Sequence, residues 1–455
     1  MMQKVYPVSP APFRKETGSN GALIISVNMG YGHQRTAYPL KDLAPHQGWW
    51  GKKIINANDY PGIPEKDKTI WELMRRSYEF ISRFSRIPLI GKATFSIYDQ
   101  LQKILTFYPK RDLSKPNLSL KQIFSLIKKG WGKDLIEKLT PHQNFGGGPL
   151  PLITTFFPPA FMAEYFNYPG EIFCIVCDAD VSRTWAPLNP KESKIKYLAP
   201  TERVIERLKL YGVRAENIFL TGYPLPLENI GSQNLEILKE DLRHRILNLD
   251  PQKKYFEKYK TLIKEELGEL PGKSDHPLTI MFSVGGAGAQ KEIGIKIIKS
   301  LAVEIWAGGV KVILVAGIRE KIKEYFLRYI KKLGLENILG KNIEIIFAKN
   351  IEDYFQKFNQ TLRKIDILWT KPSELSFYSA LGLPIIITSP IGSQEEFNKR
   401  WLLKSGFGVS QENPRYTRQW LIDWLDRGYL AEAAMEGFIE GEKLGTLKIK
   451  NIISK

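Results

Sequence analysis

The chain has 455 residues, 43% of them hydrophobic and 25% charged, with a formal net charge of +18. That balance excludes a disordered or fibrous polymer and suits two globular domains, because a single core seldom grows beyond about 300 residues. The positive excess calls for a polyanionic partner, and part of it is local: Pro61 to Thr140 holds 16 Lys or Arg against 8 Asp or Glu.

The opening MMQKVYPVSPAPFRK has no apolar segment, so no signal peptide is expected. No uncharged apolar run reaches the roughly 18 residues of a membrane span, so no transmembrane helix is expected either. The first strand is Ala22 to Asn28, and MGYGHQRTAYPL turns from it into a helix. A second strand is expected at Lys53 to Ala57. Glu65 to Leu139 is basic and aromatic, with Ile70, Trp71, Met74, Tyr78, Ile81 and Phe84 at helical spacing and Arg75, Arg76, Arg83 and Arg86 among them. GGGPLP at Gly146 to Pro151 leads into the strand LITTFF. Strands EIFCIVC and KYLAP follow, then a helix from Glu202 to Tyr211 and the strand NIFLTG, which ends in YPLP.

Glu228 to Asp275 is charged and reads as helical, linking two halves. The second half opens with LTIMFSV and GGAGAQ, a helix over Lys291 to Ala307, VKVILVAG and NIEIIFAK. The segment Asp366 to Gly408 then reads strand, turn, helix, strand, polar loop, helix, and Tyr416 to Phe438 is a tail-helix candidate. Strands alternating with helices predict an α/β protein with parallel sheets and helices on both faces. The expected division is residues 1–226 and residues 227–455, with a helical insert over about residues 61–140 of the first domain.

Several loops carry chemistry. In MGYGH, Gly30 and Gly32 permit a sharp turn and close approach, and His33 can take a proton near neutral pH at a helix start. A structural or solvent-facing histidine is the plainer reading of that residue alone. Asp178 and Asp180 follow a buried strand in CDAD; such a pair can hold a cation, and Asp178 can equally cap a turn. Cys174 and Cys177 form a lone CxxC with no second ligand pair, which reads as two reduced core cysteines and fits the cytoplasm. The loop with Gly286, Ala287, Gly288 and Ala289 can direct amides at a diphosphate, although it is neither a Walker motif nor GxGxxG. Gln394, in the polar loop beyond LPIIIT, can donate and accept at once, which suits sugar hydroxyls.

In Asp366 to Gly408, the residues Thr370, Lys371, Ala380 to Pro384, Gln394, Glu395, Glu396 and Asn398 match a T-K-x-G…EAL…GLP…GQEExN pattern. This half resembles the nucleotide-sugar glycosyltransferases of the GT-B type, two Rossmann-like domains facing across a cleft. Monogalactosyldiacylglycerol synthase and the peptidoglycan lipid N-acetylglucosaminyltransferase are families of this type that it is similar to. MGYGH, the Asp178–Trp185–Pro187 segment and the run from Tyr197 to Pro226 extend the resemblance into the first half. Several features depart from it: Met29 or Tyr31 stands where the family has the first glycine of the MGYGH loop, and the family's histidines after Asp178 are absent, with Arg183 near the place of the first. The glycine turn is replaced by Ser373, Glu374 and Leu375, and the helix glutamate that binds the donor ribose in the family is replaced by Tyr378 or Ser379.

The resemblance implies a UDP-sugar donor, no metal and no other cofactor. It places His33 and Asp178 at the reaction centre, with Gly30 and Gly32 in the acceptor loop. It assigns Gly286, Ala287, Gly288, Ala289, Arg319, Lys371, Gln394, Glu395 and Asn398 to the donor. Asn350 and Ile351 fall at the nucleobase, and Glu374 substitutes for the missing glutamate. A lipid acceptor is expected, with the basic aromatic insert on an anionic bilayer at the cytoplasmic face. A sugar-nucleotide epimerase of the same build and a catalytically silent nucleotide-sugar or membrane-binding module remain alternatives. No nucleic-acid motif accompanies the charge.

Overall fold

The computed structural model describes residues 21–45, 54–84, 104–140, 149–285, 288, 290–390 and 392–454. Two six-stranded sheets carry the chain, and every strand pairing in them is parallel. The first is built from β1 (Leu23–Ser26), β2 (Ile55–Asn56), β3 (Leu152–Thr154), β4 (Ile172–Ile175), β5 (Lys196–Ala199) and β6 (Ile218–Leu220). Its order is β2-β1-β3-β4-β5-β6. The second is built from β7 (Leu278–Ser283), β8 (Val310–Gly317), β9 (Ile343–Phe347), β10 (Ile367–Thr370), β11 (Ile385–Ile387) and β12 (Gly408–Ser410). Its order is β12-β11-β10-β7-β8-β9.

Parallel strands covered on both faces must be apolar throughout, and LIIS, IFCI, ILWT and III are buried at every position. The order of each sheet fixes where a ligand can sit. In the first sheet the chain runs from β1 outward to β2 and then returns to the other side as β3. In the second it runs from β7 through β8 to β9 and returns as β10. The two switch points, β1/β3 and β7/β10, are the crevices where open α/β sheets bind ligands.

The halves meet through rings and through the tail. Tyr38 packs on Phe355 and Tyr223 stacks on Phe377, with centroids 5.3 and 5.0 Å apart. The last helix, Gly445–Ile453, lies back on the first sheet, where Ile449 and Ile453 join Ala22, Ile24 and Leu40 in one cluster. Thr446 Oγ1 donates to the Leu225 carbonyl at 2.5 Å, which pins that return.

The expected tail helix is divided into Thr417–Asp426 and Tyr429–Glu440. Gly428 divides them in the left-handed region at φ +76°, and a Cβ there would meet Tyr255. Of the insert, the helices Glu65–Phe84, Leu118–Lys128 and Lys133–Leu139 are described, while residues 85–103 lie outside the described set. Trp71 and Trp131 pack with tilted rings 4.7 Å apart inside the core, so Trp71 is not a surface aromatic.

Candidate functional site

Both switch points are furnished with polar side chains. At β1/β3 the helix Tyr31–Ala37 begins directly beyond the first strand, and Gly30 enters it at φ +111°, a conformation that favours glycine. His33 Nδ1 lies 2.8 Å from the Thr155 carbonyl, just past β3. A carbonyl only accepts, so Nδ1 carries the proton and Nε2 presents the lone pair. Burial lowers the imidazole pKa to about 4, with the Thr155 contact and the field of Glu374 offsetting part of the drop. His33 is therefore a neutral base at physiological pH. Phe156 packs against it at 4.5 Å and continues through Phe157 to Trp185, an apolar wall beside the imidazole.

Cys177 Sγ is 3.5 Å from His33 Nδ1, and burial keeps its thiol well above the usual range. Asp178 follows, half-buried at the carboxyl end of β4. Burial raises its pKa to about 6, against a hydrogen bond from Asn398 that favours the ionised form. Asp180 is engaged otherwise: Arg207 donates Nε and Nη2 to its two oxygens, each at 2.8 Å. The DxD pair therefore does not turn two carboxylates toward one cation. Arg183, near the place of a family histidine, donates to the Ser114, Ala186 and Pro187 carbonyls.

At β7/β10, Lys371 follows β10 and pairs with Glu395 at 2.6 Å, both largely buried. A Cβ on Gly285 would come within 2.7 Å of Lys371 Cε, so the lysine stem runs directly against the glycine loop. Gly286, Ala287 and Ala289 lie outside the described residues. Gly288 is described at φ +72°, and a Cβ there would meet Ile322 at 3.0 Å and Arg319 at 4.0 Å. The exposed Arg319 is thereby placed beside that loop. Gln290 closes the loop and ties it to the polar one: Nε2 donates to the Ser389 carbonyl at 3.0 Å, and Thr388 Oγ1 donates to its Oε1 at 2.7 Å. The end of the first loop is thus held against the start of the second. Gln394 is half-buried in the first turn of the helix Ser393–Lys404.

The two crevices face each other. Tyr31 Oη accepts from the Ile318 amide at 3.1 Å, and a Cβ on Gly317 would strike that hydroxyl at 2.5 Å. Arg35 reaches across to Glu374 at 3.3 Å and donates to Tyr354 Oη at 2.8 Å, with Phe358 4.1 Å beneath its guanidinium. Glu374 also abuts the acceptor loop, since a Cβ on Gly32 would lie 3.1 Å from its Oε2. It is placed at the junction, bound to Arg35, rather than only on the donor side.

Two other residues expected at the donor have protein partners. Asn398 is fully buried between Asp178, Ala179 and Pro372. Asn350 caps the helix Ile351–Leu362, accepting from the Asp353 amide at 2.9 Å, and Ile351 opens that helix. Tyr378, at the place of the family glutamate, is wholly buried. Sequence reasoning missed Arg35, Thr155 and Phe156. Only their positions just beyond β1 and β3 could have marked them.

A family described as a domain of unknown function, DUF6938, matches residues 272–400, the stretch from before the glycine loop to the helix after β11. The chain is 22% identical over 393 residues to a processive diacylglycerol beta-glucosyltransferase of Bacillus pumilus (strain SAFR-032), covering 85% of this chain and 82% of that one. It is 23% identical over 399 residues to the protein of the same name from Bacillus subtilis (strain 168), with the same coverage. The chain has a GT-B fold, two Rossmann-like halves each built on a six-stranded parallel sheet. Among solved structures, the UDP-GlcNAc 2-epimerase from Neisseria meningitidis bound to UDP-GlcNAc aligns with a TM-score of 0.43 at 14% identity, over 75% of this chain and 84% of that one. The GT-B arrangement accounts for the opposed switch points: each Rossmann-like half contributes the carboxyl end of its own sheet to one junction.

Proposed function

We propose that this GT-B protein is a hexosyltransferase that moves a sugar from a UDP-sugar to the hydroxyl of a lipid. The observation that carries the reading is the junction itself. A neutral histidine and a tunable carboxylate on one lip face a lysine–glutamate pair and a glycine loop on the other. The diphosphate binds at the glycine loop with Lys371 and Arg319, and the sugar hydroxyls bind Gln394 and Glu395. Asp178 accepts a hydrogen bond from the acceptor and orients it. As the acceptor oxygen bonds to the anomeric carbon, its proton passes to His33 Nε2. The carbon–oxygen bond to the diphosphate breaks and UDP leaves with the bonding electrons. Glu374 favours the imidazolium that results, in line with its effect on the His33 pKa.

A lipid acceptor is supported by the relatives' names, by the Phe156 wall beside His33, and by the insert. On the insert Leu73, Tyr108 and Leu118 are 66%, 67% and 65% exposed among the exposed Arg75, Arg76, Lys110, Arg111 and Lys121. Apolar side chains set in a basic surface suit an anionic bilayer interface. No described helix is long and apolar enough to cross a membrane. The proposed contact is made by this basic surface, at the cytoplasmic face.

The test is UDP release from a panel of UDP-sugars, with and without liposomes of diacylglycerol in anionic lipid. Release that requires the liposomes is expected. Conversion of UDP-N-acetylglucosamine without acceptor would establish an epimerase, and UDP binding without release from any donor would establish a silent module.

A further inference from the structure

Asn398 makes three hydrogen bonds, all of them to the protein. Its Oδ1 accepts from the Ala179 amide at 2.7 Å, and its Nδ2 donates to Asp178 Oδ1 at 2.9 Å and to the Pro372 carbonyl at 3.3 Å. The side chain is 0% exposed. Both N–H groups and one of the two oxygen lone pairs are taken, and burial closes the remaining lone pair to a sugar hydroxyl. Yet Asn398 belongs to the helix Ser393–Lys404, whose first turn holds Gln394 and Glu395. Residues 394 and 398 stand one turn apart on the same helix face. One rigid element thus presents the donor-side residues at its start and a bracket on the opposite domain one turn later.

Asp178 needs that bracket. Burial at the junction opposes its ionised form, and the Asn398 hydrogen bond favours it. The other charged groups facing it are divided. Lys371, beyond β10, favours the carboxylate, while Glu374 and Glu395 oppose it. On its own strand end Cys177 is protonated, and beyond Cys177 lies the neutral His33. We propose that Asn398 is a positioning residue for Asp178, supplying from the donor domain the N–H that replaces water when the junction closes. Seating of the donor helix and readiness of Asp178 to orient the acceptor then become one event, and the enzyme avoids holding a competent acceptor site over an unseated donor. This inference rests on the transferase reading above, but its physical core is measurable without turnover.

The experiment combines two readouts on the full chain. The first is kcat for UDP release against pH, for the wild type, Asn398→Ala, Asp178→Asn and the exchange pair Asp178→Asn/Asn398→Asp. The second is the titration midpoint of the Asp178 carboxyl by carbon-13 NMR on aspartate-labelled protein, identified by its loss in Asp178→Asn. With Asn398→Ala the acid limb and the NMR midpoint are expected to rise together by about one pH unit, a roughly tenfold loss of rate below the midpoint, as removal of a hydrogen bond to a charge implies. The donor KM is expected to stay within about twofold, since the amide does not reach the sugar. The exchange pair restores the cross-domain bond with its polarity reversed, and should turn over as slowly as Asp178→Asn alone. An unmoved NMR midpoint in Asn398→Ala overturns the proposal. So does a large rise in donor KM with an unmoved acid limb, or a restored rate in the exchange pair, which would make the contact a plain domain clamp. If the wild type releases no UDP from any donor, the transferase reading fails, while the NMR midpoint still decides the role of Asn398. If Asn398→Ala does not fold, the exchange pair decides by its rate.

Discussion

Arg35 and Glu374 make the sharpest energetic test of how the two domains are joined. The pair lies 3.3 Å apart with side chains 3% and 11% exposed. At an effective dielectric of about 20, unit charges at that distance attract by about 5 kcal/mol. Desolvation consumes much of this attraction, and the surplus is small compared with what is lost when one partner goes. Removing either side alone leaves a buried charge uncompensated, which costs about 3–5 kcal/mol. Arg35→Met keeps an unbranched apolar side chain but removes the guanidinium over Phe358, strands Glu374 and deprives Tyr354 Oη of its donor. Glu374→Gln keeps the shape and strands the guanidinium. The two substitutions together remove both charges and should cost well below the sum of the singles, with a coupling of roughly 1.5–3 kcal/mol. The assay is urea unfolding of wild type, both singles and the double, taking the midpoint of the first transition with the slope held as a check on state. Additive costs, with coupling under about 0.5 kcal/mol, would refute the reasoning. The pair would then be a solvated contact and not a junction between the domains.

His33→Ala should lower turnover by about 10²–10⁴-fold with UDP affinity nearly unchanged, measured by steady-state kinetics and calorimetric titration with UDP. The pH–rate profile should have its acid limb near 6, because Asp178 must be ionised and is raised to about 6, while His33, lowered to about 4, stays neutral well below that. Asp178→Asn should abolish the limb near 6, and a limb that persists there would remove Asp178 from the reaction. Gln394→Ala should raise the donor KM more than tenfold at similar kcat; an unchanged donor dependence would take Gln394 out of the site. His276 has a carboxylate at each ring nitrogen, Asp275 at 2.6 Å and Asp366 at 3.2 Å, so only the imidazolium satisfies both. Burial works against that charge, but the two carboxylates outweigh it and the pKa ends raised. This stabilisation is complete below the ordinary value of 6.5 and is lost as pH rises through the raised one. Melting temperature should therefore fall with rising pH over that window in the wild type, and less steeply in His276→Gln.

The fold was legible because it is written locally. Runs such as LIISV and LPIIIT are apolar on both faces, and glycine turns into helices mark where each strand stops. Position at a strand end drew attention to His33 and Asp178, since a parallel sheet delivers its loops to one edge, but their proposed roles, and Lys371 altogether, came from the family resemblance. What lay hidden depends on the partner half. Arg35 acquires its meaning from Glu374, 339 residues away, and Asn398 from Asp178, 220 residues away. No periodicity in either half encodes such a pairing. The same limit applies to the insert, where the sequence left its aromatics open between a bilayer surface and a core, and Trp131 packed against Trp71 places that residue in the core. Asn398 is the instructive case. By motif it sits among the sugar-binding residues, and by its hydrogen bonds it serves the other domain. A motif assigns a residue to the element that carries it. Where two domains meet across a cleft, an element on one lip can carry a side chain whose partner is on the other, as the helix of Asn398 does for Asp178.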